Sequence, residues 1–352
     1  MKAIELIEKH KAYENDTYKT DTFHLDYVAL EQEEIEKFIH LVVEDDTLDE
    51  DLKYEMLSGV ALYSYGEDYS YTKFDSKIFD YLIEHDIDEP WKIYFRAKED
   101  VALKLIKSWE NHIEKWKKQE DFGPGCLLNL IAIPCEATKD YLLKHCTNCS
   151  REKLDNFTSL AGWYINKKGE IEKLYSDEVI ALEECKPEEA SEISPMRMIA
   201  ENCPECEDDY APSELYLIFD GKYKIPFCYS CPVDVAFFTK EVEDGIVVLG
   251  HEHKIFDPNC AAGKSDIGLR VINEKRMPSY SAASLTASVG VRPRNQIGGR
   301  PTSVNDVYYP NCPICGDKMH FVGQYEPNGD YMFYYFFACE KCKTHASTYD
   351  QT

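Results

Sequence analysis

The sequence predicts an α+β fold, in which an N-terminal α-helical domain is followed by a region rich in antiparallel β-strands. Three observations lead to this prediction. Apolar residues recur at helical spacing from residue 31 to about residue 119, short strand-like runs begin at residue 163, and paired C-x-x-C motifs occupy the second half. With 352 residues and 44% apolar composition, the chain is long enough for two or three domains with cores of their own.

Helical periodicity defines the first domain. One amphipathic helix is indicated by four apolar residues at positions i, i+3, i+4 and i+7, namely Ile35, Phe38, Ile39 and Val42. The segment Thr47–Glu50 has the form of a capping box ahead of the next apolar run. The helical pattern stops at the Gly-Pro-Gly sequence of residues 123–125. We therefore predict an acidic α-helical domain over residues 1–122.

After the Gly-Pro-Gly break come an apolar run at residues 127–133 and a helix-like segment at residues 139–146, and strand-like patterns follow them. Residues 163–171 have the pattern of a hairpin, with Lys-Lys-Gly between two apolar runs. The segment Glu183–Glu192 is rich in Pro and Glu and is predicted to be a linker. The sequence thus predicts a β-rich domain over residues 123–256 and a separate C-terminal region over residues 257–352.

Eight cysteines have the spacing of two four-thiolate zinc sites. Each site combines two C-x-x-C turns separated by a predicted hairpin, so that the chain resembles a zinc ribbon at residues 203–231 and again at 312–342. Four thiolates occupy every position around a tetrahedral ion, which favours two structural zinc ions over catalytic ones, a redox dithiol or an iron–sulfur cluster. The predicted ligands are Cys203, Cys206, Cys228, Cys231, Cys312, Cys315, Cys339 and Cys342.

A third metal site stays open as an alternative. Cys146 and Cys149 form another C-x-x-C pair, but its partners would have to come from residues at irregular spacing, namely His145, Cys126, Cys135 and Cys185. The competing interpretation is that these cysteines are free and buried as small apolar side chains. His251 and His253 are predicted to lie in an exposed turn.

The charge is strongly asymmetric along the chain. The formal net charge is −26, of which residues 1–256 contribute −27 and residues 257–352 contribute +1. Such an acidic surface repels nucleic acid and attracts a basic protein partner, although acidity can also serve solubility alone. The N-terminus lacks the pattern of a signal peptide, and no apolar run is long enough for a membrane span. We therefore predict a cytoplasmic protein with reduced cysteines and no membrane partner.

Sequence motifs of common enzymes are missing. The chain contains no G-x-S-x-G, G-x-x-x-x-G-K-[ST], G-x-G-x-x-G or H-E-x-x-H motif. We therefore predict that the protein is not an enzyme. The competing hypothesis is an enzyme whose pocket lies between domains, which a single sequence does not reveal.

The last third of the chain carries a family resemblance. The Gly-Gly-Arg-Pro segment 298–301, the knuckle Cys312–Gly316, and the following Met319, Phe321, Val322 and Gln324 resemble the YwqG-like family of uncharacterised bacterial proteins. The same knuckle and strand are similar to those of the programmed-cell-death-protein-2-like chaperones of eukaryotic ribosomal proteins. This resemblance implies a mostly antiparallel β fold that binds protein. Some YwqG-like genes lie in bacterial toxin-immunity clusters, and the chaperones hold a basic client.

These observations together predict a non-enzymatic, zinc-stabilised protein-binding module. Its most specific form is an acidic immunity protein that neutralises a toxin, with a basic protein as its partner. One alternative is a chaperone of a basic client protein. The other is a nucleic-acid-associated zinc-ribbon factor, for which nucleic acid would be bound by Arg270, Lys275, Arg276, Arg292, Arg294 and Arg300.

Overall fold

The chain divides into two compact units. The first unit is built from residues 1–161 together with 169–171, and the second from residues 162–168 and the described residues from 172 onwards. The finer division at residues 122 and 256 stays a prediction. The computed structural model describes residues 1–13, 23–63, 73–87, 91–95, 97–110, 126–145, 150–176, 178–190, 196–206, 214–219, 224–233, 236–250, 254–257, 263–264, 267–271, 295–301, 308–327 and 332–351.

The first unit is helical. Its described α-helices are α1 (Ala3–Ala12), α2 (His24–Val28), α3 (Gln32–Glu44), α4 (Glu50–Tyr63), α5 (Ser76–Glu84), α6 (Glu99–Glu110), α7 (Cys126–Ile131), α8 (Glu136–His145) and α9 (Arg151–Ser159), with a 3-10 turn at Trp91–Tyr94. Helix α3 buries the four residues of the predicted apolar stripe, Ile35, Phe38, Ile39 and Val42. Within the described residues, no helix is both long and apolar enough to cross a membrane.

The N-terminus of α4 is capped by a different residue from the one that the capping-box pattern favours. Asp49 Oδ1 accepts the backbone N–H of Leu52 at 2.7 Å, which satisfies one of the free donors at the helix start. Thr47 instead donates its hydroxyl to Asp45 Oδ1 at 2.5 Å. The cap therefore lies two residues later, immediately before Glu50.

Close packing between α2 and α4 depends on a glycine. A Cβ atom on Gly59 would lie 2.2 Å from Cζ of Tyr27, so no larger residue fits without movement. The Tyr27 hydroxyl also lies 2.8 Å from His10 Nε2 and donates to the carbonyl of Met56 at 3.3 Å. These contacts join α1, α2 and α4 in the core of the first unit.

The second unit is built from β-sheets. Its described strands are β1 (Trp163–Ile165), β2 (Ile171–Lys173), β3 (Val179–Cys185), β4 (Arg197–Ala200), β5 (Leu215–Ile218), β6 (Ile225–Cys228), β7 (Phe237–Val242), β8 (Gly245–Val248), β9 (Ile255–Phe256), β10 (Gly263–Lys264), β11 (Gly268–Val271), β12 (Asn295–Gly298), β13 (His320–Tyr325), β14 (Met332–Cys339) and β15 (Thr344–Gln351), with 3-10 turns at Pro187–Glu189 and Cys231–Val233. The predicted α+β class, with helices first and antiparallel sheets after them, is confirmed.

Three sheets result. A large nine-stranded sheet has the order β11-β3-β12-β13-β14-β15-β7-β8-β9, a small four-stranded sheet has the order β10-β4-β5-β6, and β1 pairs with β2. All described pairings within the large and small sheets are antiparallel. Strand β14 lies at the centre of the large sheet, so both of its edges are paired.

The two faces of β14 enter separate hydrophobic clusters. Alternating residues of a strand point to opposite faces, so Phe333, Tyr335 and Phe337 pack on one side with Phe321. Tyr334, Phe336 and Ala338 pack on the other side against Ile218, Ile225 and Phe227 of the small sheet. The small sheet therefore covers one face of the large sheet.

Candidate metal centres

The first centre gathers four cysteines at the end of the small sheet. Cys203 and Cys206 lie in the turn after β4, Cys228 ends β6, and Cys231 begins the following 3-10 turn. Their sulfur atoms all lie within 4.8 Å of one another, with 3.6 Å between Cys203 and Cys231 and 3.8 Å between Cys206 and Cys228. The antiparallel pair β5–β6 brings the second knuckle back to the first, as the hairpin pattern predicts. The predicted Asp-Gly turn at residues 220–221 lies outside the described residues.

The second centre repeats this plan in the large sheet. Cys312 and Cys315 precede β13, Cys339 ends β14, and Cys342 lies in the turn before β15. Their sulfur atoms also lie within 4.8 Å of one another, and those of Cys315 and Cys339 are 3.8 Å apart. Strands β13 and β14 form the antiparallel pair between the two knuckles.

The sulfur geometry fits a tetrahedral ion. Zinc–sulfur bonds of about 2.3 Å place tetrahedral sulfur atoms about 3.8 Å apart, close to the distances in both centres. A disulfide requires about 2.05 Å, and all eight of these cysteines are free thiols. Each four-cysteine set can therefore hold one metal ion with all four positions filled by sulfur.

Hydrogen bonds within each centre favour a thiolate. In the first centre, the thiols of Cys203 and Cys231 lower the pKa of Cys228. In the second, burial acts to raise the pKa of Cys312, but hydrogen bonds from the backbone N–H groups of Cys315 and Ile314 and from the thiols of Cys339 and Cys315 together lower it. Thiolate is the form that binds metal, so each centre already stabilises the required charge on one ligand.

The first centre is enclosed by apolar side chains. Cys203, Cys206 and Cys228 are buried in one hydrophobic cluster with Leu215, Leu217 and Phe237. The knuckle residue Tyr229 is held from the large sheet, because Tyr334 donates its hydroxyl to the Tyr229 carbonyl at 2.9 Å. This hydrogen bond fixes the metal-binding turn to the large sheet.

The second centre is more exposed and is surrounded by charged groups. Cys315 and Cys342 are only half-buried. Lys167, which follows β1, donates to the Cys315 carbonyl and lies 2.8 Å from Asp317 Oδ1. The hydrogen bond with Asp317 raises the pKa of Lys167, and the nearby thiolates of Cys315 and Cys312 act in the same direction.

A second polar contact joins the β1–β2 hairpin to the second ribbon. Glu172 Oε1 lies 2.8 Å from His320 Nε2, while its other carboxylate oxygen accepts from Tyr164 and Asn166, each at 3.2 Å. The backbone N–H of Phe321 also donates to the carbonyl of Leu174 at 2.7 Å. Sequence reasoning missed the contribution of this hairpin to the centre.

The Gly-Gly-Arg-Pro segment is part of the folded core. Gly298 and Gly299 have φ values of 71° and 70°, and a Cβ on Gly298 would lie 2.1 Å from the carbonyl oxygen of Glu178. Gln296 Nε2 donates to the carbonyls of Gly298 and Arg300, each at 2.8 Å. The Arg300 guanidinium lies 4.6 Å from the Tyr175 ring centroid, and only 8% of the residue is exposed.

The remaining candidate ligands form no third metal centre among the described residues. In that part of the chain, the two four-cysteine groups are the groups of three or more side chains that could hold a metal ion together. Cys135 is half-buried with its sulfur 3.3 Å from Thr138 Oγ1, and Cys185 is half-buried on β3. Cys146, Cys149, His251 and His253 lie outside the described residues, as does the side chain of Cys126.

Comparisons with known proteins give one distant relative and no family. The chain is 27% identical over 212 residues to a protein of Salmonella typhimurium described as uncharacterized protein YpfL, an alignment that covers 54% of this chain and 49% of that protein. The chain thus spans about half the length of the relative it matches. No protein-family model and no solved structure matches the chain.

Proposed function

We propose that the protein is a non-enzymatic binding module held together by two structural zinc ions, and that it acts in the cytoplasm as an acidic immunity protein neutralising a basic toxin. The closed four-thiol geometry of both centres carries this proposal. All four positions around each ion are occupied by protein sulfur, which leaves no position for water or substrate. Zinc in such a site contributes folding energy instead of chemistry.

Exposed carboxylates support a basic partner. Residues 44–51, from the end of α3 to the start of α4, form an acidic segment that exposes Glu44, Asp46, Asp49, Glu50 and Asp51. Together with the net charge of −26, they produce a field that accelerates association with a positively charged protein. The resemblance to the YwqG-like family points to the same role, because some of its genes lie in toxin-immunity clusters.

The chaperone alternative predicts the same partner charge but a different outcome of binding. An immunity protein blocks the activity of its partner in a stable complex, whereas a chaperone protects the partner and then releases it in active form.

The structure gives little support to the nucleic-acid alternative. Arg270 lies 2.5 Å from Glu183 and 3.3 Å from Glu189, so its charge is already compensated by two carboxylates. Arg300 is buried over Tyr175. The other candidate phosphate ligands, Lys275, Arg276, Arg292 and Arg294, lie outside the described residues.

The test is co-expression of the chain with each basic protein encoded beside its gene, followed by native mass spectrometry. We expect a complex containing two zinc ions and one basic protein, together with restored growth of cells that the partner alone poisons. Restored activity of a released partner would favour the chaperone instead. Zinc-free protein would contradict the assignment of the metal, and a small-molecule adduct without a protein partner would favour an enzyme.

A matched pair of variants tests the electrostatic part. Asp46→Lys with Asp51→Lys should slow association and flatten its dependence on salt, because both carboxylates are exposed in the acidic segment. Glu243→Lys with Asp244→Lys makes the same change of charge at exposed positions of the second unit. Equal effects of the two pairs on the association rate would show that the acidic segment is not the docking surface.

A further inference from the structure

Three buried polar side chains in the large sheet lack hydrogen-bond partners among the described residues. They are Thr239 through Oγ1, His345 through Nδ1 and Ser347 through Oγ. Their residues are 1%, 4% and 0% exposed, respectively. Buried polar groups in native proteins are almost always hydrogen-bonded, and each unsatisfied one destabilises the fold, so this group calls for an explanation.

The strand register brings the three side chains to one face. His345 of β15 lies directly opposite Thr239 of β7, and Ser347 lies opposite Phe237. Opposed residues of an antiparallel pair point to the same face with Cβ atoms about 4.5–5.5 Å apart, and residues two apart along a strand also share a face. The three unsatisfied groups therefore form one cluster, which we call the polar trio.

The polar trio lies between the large sheet and the first metal centre. Phe237, on the same face, packs in the hydrophobic cluster that contains Cys203, Cys206 and Cys228. Phe336 and Ala338, which flank Ser347 and His345 on β14, pack against the small sheet. The trio is thus covered by the sheet that carries the first centre.

The chemistry of the trio selects a neutral ligand that both donates and accepts hydrogen bonds. Two hydroxyls and one imidazole offer both functions and carry no formal charge when the imidazole is neutral. Burial lowers the pKa of His345 to about 4, so the ring is neutral at pH 7. Its other nitrogen, Nε2, lies 3.5 Å from Glu241 Oε1, which leaves Nδ1 as the atom that belongs to the trio.

We propose that Thr239, His345 and Ser347 form a binding site for ordered water, which joins the large sheet to the ribbon of the first metal centre. A buried water molecule typically makes about 3 hydrogen bonds to otherwise unsatisfied protein groups, the number that the trio offers. One or two water molecules bound there would form hydrogen bonds with all three unsatisfied atoms.

Ser58 provides an internal contrast. Its hydroxyl is also buried and unpartnered, in α4 of the first unit, but it is not part of such a cluster among the described residues. One hydroxyl is too few to hold a water molecule, which needs two to four polar partners. Removal of the hydroxyl should therefore destabilise the protein at Ser347 but not at Ser58.

The experiment compares melting temperatures of the full-length, metal-loaded chain. Ser347→Ala should lower the melting temperature by about 2–4 °C, because the bound water loses a partner. Ser58→Ala should leave it unchanged or raise it, because an unsatisfied group is removed. A rise in melting temperature for Ser347→Ala and also for Thr239→Val would show that the trio is dry and would overturn the proposal.

A double variant and a crystal structure complete the test. If Thr239 and Ser347 share water, the loss in Thr239→Val with Ser347→Ala should be smaller than the sum of the single losses, because the first change already releases the water. Fully additive losses would overturn the shared site. In a high-resolution crystal structure we expect ordered water within hydrogen-bond distance of His345 Nδ1, and a dry cluster there would contradict the proposal directly.

Discussion

The two four-cysteine centres have the same ligand set but different surroundings. In the first, three of the four cysteines are buried within an apolar cluster, and the second knuckle is fixed by the hydroxyl of Tyr334. In the second, two of the four are half-buried, and Lys167 and Asp317 form an ion pair on the knuckle. Four thiolates around a dication carry net negative charge, and burial of such a charge in an apolar surrounding costs free energy. The apolar side chains of the first centre therefore shield the ion from water without compensating its charge, whereas Lys167 places a positive charge beside the second centre.

The largest expected difference between the centres concerns the fold itself. Cys312→Ser should release one metal ion and unfold the large sheet, because the second centre closes on the end of β14, the central strand. Cys206→Ser should also release one ion but should leave the large sheet cooperative, since this ligand lies in a turn of the small sheet. Native mass spectrometry with thermal unfolding measures both effects.

Cys135→Ser is the control for the loss of a thiol, because Cys135 lies outside both centres. It should retain two metal ions and an almost unchanged melting temperature. Cooperative unfolding of the Cys312→Ser variant at the wild-type temperature would show that the second centre does not stabilise the large sheet.

The pH dependence of stability distinguishes unfolding of the large sheet from loss of metal. Its expected effect is smaller than that of Cys312→Ser. The pKa of His345 is lowered to about 4 by burial, below its usual value of 6.5. The unfolded chain therefore takes up a proton at this residue first, so its stabilising contribution is complete above pH 6.5 and is lost as the pH falls towards 4. A shift of this size corresponds to about 3 kcal/mol.

The measurement is the free energy of unfolding between pH 4 and 7, compared between the wild type and His345→Gln. The difference between the two proteins should change with pH while native mass spectrometry still shows both metal ions bound. Parallel pH profiles would mean that protonation of His345 does not destabilise the sheet, and that acid acts through the thiolates of the centres instead.

Local spacing explains which features the sequence predicted well. The buried stripe of α3 and the grouping of the eight cysteines follow from residues that are close in the chain or joined by one hairpin. The position of a cap is decided by finer geometry, so Asp49 and not Thr47 caps α4. The segment predicted as a linker from residue 183 onwards begins within β3, because the pairing of residues 183–185 with β11 outweighs their Glu-rich composition.

Long-range contacts explain what the sequence did not reveal. Lys167 and Glu172 are each separated by 148 residues from their partners Cys315 and His320, so no local pattern connects them. Arg300 was predicted as a phosphate ligand from its charge alone, yet the two preceding glycines allow a turn that buries it over Tyr175. Burial of a charge on an aromatic ring depends on tertiary packing and leaves no periodic signal.

The smallest effect tests whether charge compensation holds the second ion. Lys167→Met should accelerate transfer of metal from the second centre to a chelator by about tenfold, as is typical for groups that surround a metal site without binding it. Lys167→Arg should restore most of the slow release, because it keeps the positive charge near Asp317.

Lys168→Met is the matched control, since the neighbouring Lys168 is exposed and no ion pair to it is present among the described residues. The first centre serves as an internal reference, and alkylation of the freed thiols identifies which ion has left. Equal acceleration by Lys167→Met and Lys168→Met would mean that apolar enclosure and ligand geometry alone account for the difference between the centres. Equal acceleration of release from both centres by Lys167→Met would mean that Lys167 does not act on the second centre in particular.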